Sequence, residues 1–178
     1  MPPIFYIIMG PNGAGKSTFG KLHTNGLPIY DPDKRKMEII SYLSSLNKKQ
    51  RKKDISMAVG FASVSTAEIL KASCLVVPTM TGYTARMISS LRPKTPIYAI
   101  SPSEQAVRRM QLYWGVYAMP GETEDSTRHM ITNSMKIILR RKLIKKGELA
   151  VFTAGDPATN MVSGRGRSTN VMQVVEAK

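Results

Sequence analysis

Helices on both faces of a mostly parallel sheet are what this sequence predicts, and three features carry the prediction. Short apolar runs recur, among them Cys74-Leu75-Val76-Val77-Pro78, and they are nearly continuous rather than alternating, as strands covered on both faces require. Segments of helical spacing lie between these runs, so successive strands are joined by crossovers. The 178 residues are enough for one domain, or one and a fraction, with a real core. The expected architecture is a three-layer α/β/α sandwich in which an N-terminal strand–helix unit is added to a larger domain.

In chain order, residues 3–9 read as a buried strand and residues 16–24 as a helix, with Asn25-Gly26 as its stop signal. A short strand over 27–30 leads to the turn Asp31-Pro32-Asp33. A helix over 34–46 places Met37, Ile40 and Leu43 at a spacing of three, which predicts their burial, with Ile39 and Leu46 nearby. The run Asn47-Lys48-Lys49-Gln50-Arg51-Lys52-Lys53-Asp54 has five basic residues and no apolar one, and reads as a solvated linker. Three parts are therefore expected: 1–46, a basic linker over 47–54, and 55–178.

The third part alternates regularly. A helix over 55–72 precedes a strand at 74–78. A Thr/Gly loop at 79–84 opens a helix ending near Leu91, and the turn at 92–96 leads to a strand at 97–100. A helix over 103–112, a strand at 115–118 and an acidic cap at Glu122–Asp125 follow. A long helix is expected to run to Lys146, closed by Gly147, before a strand at 149–153, a loop of about fourteen residues and a last strand at 169–175.

The most specific local signal is Gly10-Pro11-Asn12-Gly13-Ala14-Gly15-Lys16-Ser17-Thr18, the spacing of a Walker A phosphate loop between a predicted strand and a predicted helix. Glycines there let backbone N–H groups turn toward phosphates, at a helix start whose dipole favours anions. Lys16 would reach the β- and γ-phosphates, and the Ser17 hydroxyl would join a Mg²⁺ shell. The expected ligand is ATP or another nucleoside triphosphate with Mg²⁺, or inorganic phosphate or sulfate. The bland alternative is a Gly-rich turn joining strand to helix.

A net charge of +14 also points to anionic partners, and the excess is spread over both parts of the chain. Nucleic acid is not the expected partner, because the basic run lacks interleaved aromatics or a recognisable reader fold. A mean hydropathy of −0.17 and the absence of any apolar run near ~20 residues argue against a membrane span and for a cytoplasmic protein. The N-terminal apolar stretch has no basic flank and does not read as a signal peptide. The single cysteine, Cys74, excludes an internal disulfide framework and reads as a buried, inert thiol.

Two family resemblances sharpen this reading. Residues 55–176 resemble the C-terminal domain of pyruvate kinase in Pro78-Thr79-Met80-Thr81-Gly82-Tyr83-Thr84-Ala85-Arg86, Arg92-Pro93-Lys94-Thr95-Pro96-Ile97-Tyr98-Ala99-Ile100 and Trp114-Gly115-Val116-Tyr117. Lys146-Gly147-Glu148-Leu149, Thr153-Ala154-Gly155-Asp156-Pro157 and Gly166-Arg167-Ser168-Thr169-Asn170 continue the match in order. The resemblance implies a regulatory domain, since the family's active site lies in a separate barrel. It also implies a second phosphate site for a sugar phosphate at Thr79, Thr81, Gly82 and Thr84, with Arg165 and Arg167 supplying charge from the late loop. Helices near the C-terminus mediate subunit contact in that family, so a homodimer is compatible with it.

Residues 1–45 resemble zeta-toxin-like P-loop kinases in Ile7–Phe19 and in Ile29-Tyr30-Asp31-Pro32-Asp33. That resemblance implies a catalytic carboxylate at Asp33, or second at Asp31, although either suits a helix cap equally. Only about a quarter of such a kinase is represented, with no convincing Walker B strand. The expectation is thus a composite chain, recombined or designed, that binds a nucleotide through its Walker A loop without efficient catalysis. A weak NTPase or zeta-toxin-like kinase and a sugar-phosphate-binding regulatory module are the alternatives.

Overall fold

The computed structural model describes residues 32–45, 55–156 and 169–178. Two compact units divide the chain, Met1–Ser41 and Tyr42–Lys178. Helix α1 (Pro32–Ser45) is the described part that begins in the first unit. On it Ile39 is buried and Leu43 half-buried, whereas Met37 and Ile40 are exposed. The expected stripe through Met37 and Ile40 is therefore corrected. Apolar residues at 37, 39, 40 and 43 support two overlapping helical stripes, and the i, i+4 pair Ile39–Leu43 is the more buried one.

In the second unit the order is α2 (Ile55–Ile69), β1 (Cys74–Pro78), α3 (Tyr83–Ser90), β2 (Ile97–Ser101), α4 (Glu104–Met110), β3 (Val116–Pro120), α5 (Thr127–Arg140), β4 (Leu149–Ala154) and β5 (Val171–Glu176). The strands form one sheet in the order β3-β2-β1-β4-β5. β1 to β4 are mutually parallel, and β5 returns antiparallel to β4, pairing Ala150 with Val175 and Phe152 with Gln173.

The centre of the sheet is buried on both faces, which is why the β1 residues Cys74, Leu75, Val76 and Val77 are all apolar and all fully buried. One face packs on α2, α3 and α4. The other packs on α5: Cys74, Val76, Ile100, Met119, Ala150 and Phe152 meet Ile131, Met135 and Ile138 there. Helices α3 and α5 are amphipathic to match, α5 burying Ile131, Ser134, Met135 and Ile138 at three- and four-residue steps. Burial pushes the Cys74 thiol up to about 12, with the nearby Glu148 carboxylate adding to the effect, so it stays protonated and inert.

Helix ends differ from the sequence reading in one consistent way. α5 stops at Arg140 rather than Lys146. Lys142 takes a left-handed conformation (φ 57°), its N–H donates to Leu139 O at 2.9 Å, and the Leu143 N–H donates to Ile138 O at 3.0 Å. This is the Schellman closure with a lysine where glycine is usual. α2 ends the same way at Lys71 (φ 52°), with Ala72 N–H donating to Ala67 O. At the start of α5 the cap is Ser126, whose Oγ accepts from the His129 N–H at 3.2 Å, while Asp125 pairs with the His129 ring.

Candidate functional site

Gly10, Asn12, Gly13, Ala14, Gly15, Lys16, Ser17, Thr18 and Asp31 lie outside the described residues, as do Arg165 and Arg167. Asp33 falls on α1. The described candidates are those of the β1–α3 loop, and the structure brings them together in a closed turn. Gly82 caps α3 at φ 80°, and its N–H donates to Thr79 Oγ1 at 3.1 Å. Only glycine fits: besides the positive φ, a Cβ there would lie 2.9 Å from Met110 Cγ. The carbonyl of Thr81 accepts from the Arg109 guanidinium on α4, and Ser101 Oγ donates to the Met80 carbonyl at 3.4 Å.

Thr84 is buried, and its hydroxyl meets the Thr169 hydroxyl at 2.8 Å. The Thr169 N–H in turn donates to Ser56 Oγ at 2.8 Å. Ser56, Thr84 and Thr169 thus tie the start of α2, the start of α3 and the approach to β5 into one buried polar joint. The hydroxyls of Thr79 and Thr84 therefore already have partners within the protein. Asp156 works similarly at the start of α5, accepting from Thr127 Oγ1 at 2.7 Å while its N–H donates to Asn170 Oδ1.

Among the described residues no group of three or more His, Cys, Asp or Glu side chains is placed to hold a metal ion. No helix of the described residues is long and apolar enough to cross a membrane. Clear shifts of titration fall on Cys74 and Tyr98, both raised first by burial; such groups are held neutral rather than activated.

The feature that the sequence reading missed is the contrast between the two sheet edges. On β3, the outward row of backbone groups is partly neutralised: Val116 N–H donates to Tyr113 O, Ala118 O accepts from Gln111 Nε2 at 3.0 Å, and Pro120 has no N–H. On β5, Ala177 N–H donates inward to Glu148 O, so alternation turns the backbone groups of Val174 and Glu176 to the edge that no strand of the described residues covers. Met172, Gln173 and Val174 are exposed there, and the strand contains neither proline nor lysine. Pro120 lies beyond the strand expected at 115–118 and is the one sequence signal that could have marked this edge; the Gln111 contact leaves none.

Comparison with known proteins matches residues 57–175 to the family described as "Pyruvate kinase, alpha/beta domain". The pyruvate kinase of Clostridium acetobutylicum is 37% identical over 127 residues, covering 71% of this chain and 26% of that protein. The Geobacillus stearothermophilus enzyme is 36% identical over 126 residues, covering 71% and 21%. Among solved structures, a pyruvate kinase from Cryptosporidium parvum shares the fold with a TM-score of 0.64 at 21% identity, covering 84% of this chain and 27% of that one. The chain spans about a quarter of the length of the curated relatives it matches.

These findings overturn the expectation of a Walker A nucleotide-binding protein. They converge on the pyruvate kinase α/β domain, and they give no support to the zeta-toxin-like part, to a chimera, to an NTPase or kinase, or to a sugar-phosphate sensor. The physical reason is one of weight: a nine-residue motif is a single local signal, whereas the family pattern is consistent over more than a hundred residues of strand, helix and turn. For the sensor, the internal commitment of the Thr79 and Thr84 hydroxyls accounts for those residues as turn and joint. Nothing in the described residues gives direct evidence of ATP or Mg²⁺. The fold, the ordered sequence blocks and the match over 57–175 agree, and the chain belongs to the pyruvate kinase family through that family's α/β domain.

Proposed function

We propose that the α/β unit serves in assembly rather than chemistry, pairing with a second copy of this chain through the β5 edge. The observation that carries this reading is the asymmetry of the sheet among the described residues, partly blunted at β3 and open at β5. An antiparallel β5–β5 contact is isologous, so one surface satisfies both partners and the assembly closes as a dimer. Main-chain hydrogen bonds across the edge give affinity, and Met172 and Val174, both exposed, give apolar contact beside them. β5 is itself held firmly, by pairing along Val171–Glu176 with β4 and by the Thr84–Thr169 joint at its approach.

Sedimentation equilibrium tests the reading. The wild-type chain is expected to show a concentration-dependent mass between one and two chains, and Val174→Lys to sediment as one chain with an unchanged circular-dichroism spectrum. A wild type that stays monomeric at high micromolar concentration contradicts the proposal, and so does a Val174→Lys protein that dimerises as before.

A further inference from the structure

A cleft of about 480 Å³ opens between the segment after β3 and the flank of α5. This size lies within the range of small-molecule sites, about 300–1,000 Å³. Its loop wall carries Glu122 and Glu124, and its helix wall carries Lys136 and Arg140, one helical turn apart. Pro120 and Ile137 add apolar surface.

The cleft is built rather than incidental. Asn133 Nδ2 donates to Glu124 Oε1 at 2.7 Å and pins the loop to α5. The Gly121 N–H donates to Ser101 O at 3.0 Å, and a Cβ at Gly121 would lie 2.3 Å from Ile100 Cγ2. The loop therefore sits on β2 at a distance that only glycine allows. Opposite charges line this one cleft, yet no ion pair joins Glu122 or Glu124 to Lys136 or Arg140.

We infer that the cleft between the β3–α5 loop and α5 binds a small zwitterion whose ammonium and carboxylate are separated by an apolar spacer. The ammonium faces Glu122 and Glu124, the carboxylate faces Lys136 and Arg140, and the spacer covers Pro120 and Ile137. A purely anionic ligand would meet the two carboxylates, and a purely cationic one the two bases, so each single-charge class carries a repulsive contact. The cleft is also larger than the backbone of a simple amino acid would fill, which favours charges set apart. This site lies toward the β3 edge and does not depend on pairing at β5.

The test is titration of the full chain, followed by amide chemical shifts of Gly121, Glu124, Asn133 and Ile137, with ε-aminohexanoate as the probe. Glycine, hexanoate and hexylamine are the controls. The expected result is a saturable shift with ε-aminohexanoate alone. Lys136→Met and Glu122→Gln, both at exposed positions, are each expected to weaken it by about fivefold, the loss of one solvent-facing ion pair. Hexanoate or hexylamine binding as tightly overturns the requirement for both charges, and glycine binding as tightly overturns the spacer. No shift at tens of millimolar, or shifts that neither variant weakens, overturns the site.

Discussion

The two edges of this sheet face the same problem and answer it differently. β3 and β5 each leave one row of backbone groups without a neighbouring strand. At β3 the segment after α4 returns to fill part of that row: Tyr113 takes one N–H, Gln111 fills one carbonyl, and Pro120 removes a donor. At β5 nothing among the described residues does the same for Val174 and Glu176. An edge that is protected on one side and open on the other is what directional self-association requires, since two open edges would propagate into fibres rather than close. The difference teaches that the open edge of this fold is the exception to a rule the same molecule obeys elsewhere.

That comparison can be broken or sharpened by experiment. The largest effect is expected at the sheet centre, which both edges share. The folded-state pKa of Cys74 is raised to about 12 from 9.0, so the folded protein holds a proton that the unfolded chain releases. Stability is then independent of this group below pH 9 and falls between pH 9 and 12, by about 1.4 kcal/mol per pH unit. The Tyr98 phenol, also raised by burial, contributes in the same direction. Denaturant titrations should show the loss, and Cys74→Val should flatten its slope; an equal slope in the variant removes the thiol from the account.

Gly121→Ala comes next, because the loop after β3 has no room for a Cβ against Ile100. A loss of about 1–3 kcal/mol is expected from overpacking, measured by chemical denaturation. Gly60→Ala meets mainly the flexible tip of Met87 and should cost less, so equal losses would contradict the reading of the loop as closely seated. Thr84→Val removes one member of the joint at the approach to β5 and leaves the buried Thr169 hydroxyl without that partner. The expected loss is about 1–3 kcal/mol, read by thermal denaturation, with earlier exchange of the β5 amides than of the β3 amides. The smallest effect belongs to Gln111→Ala, about 0.5–1.5 kcal/mol or less, since water replaces the side chain at Ala118 O. Its informative consequence is association: combined with Pro120→Val, it should open the β3 edge and produce species larger than a dimer in light scattering.

Much of this fold was legible in the sequence, and particular residues explain why. Continuous apolar runs at 74–78, 97–100 and 149–152 mark strands covered on both faces, and the helical spacing of Ile131, Met135 and Ile138 marks the face of α5. Helix ends were less legible. Lys71, Arg92 and Lys142 adopt positive φ at positions where glycine is the usual signal, and the stop expected at Gly147 was therefore placed a turn and a half too late. The site was less legible still. A phosphate-loop spacing is conspicuous in a sequence, but an open strand edge has no motif, because it is defined by which partner strand does not come. The closing of β3 by Gln111 is likewise a tertiary contact, invisible until α4 and β3 are placed side by side.

Amide hydrogen exchange of β5 as a function of protein concentration tests the central claim most directly. If β5 pairs with a second copy, the Val174 and Glu176 amides are fast at low concentration and become protected as the dimer fills, while the Ala118 amide on β3 is unchanged. Exchange at Val174 and Glu176 that is fast at every concentration, or protection that grows at Ala118 instead, would contradict it.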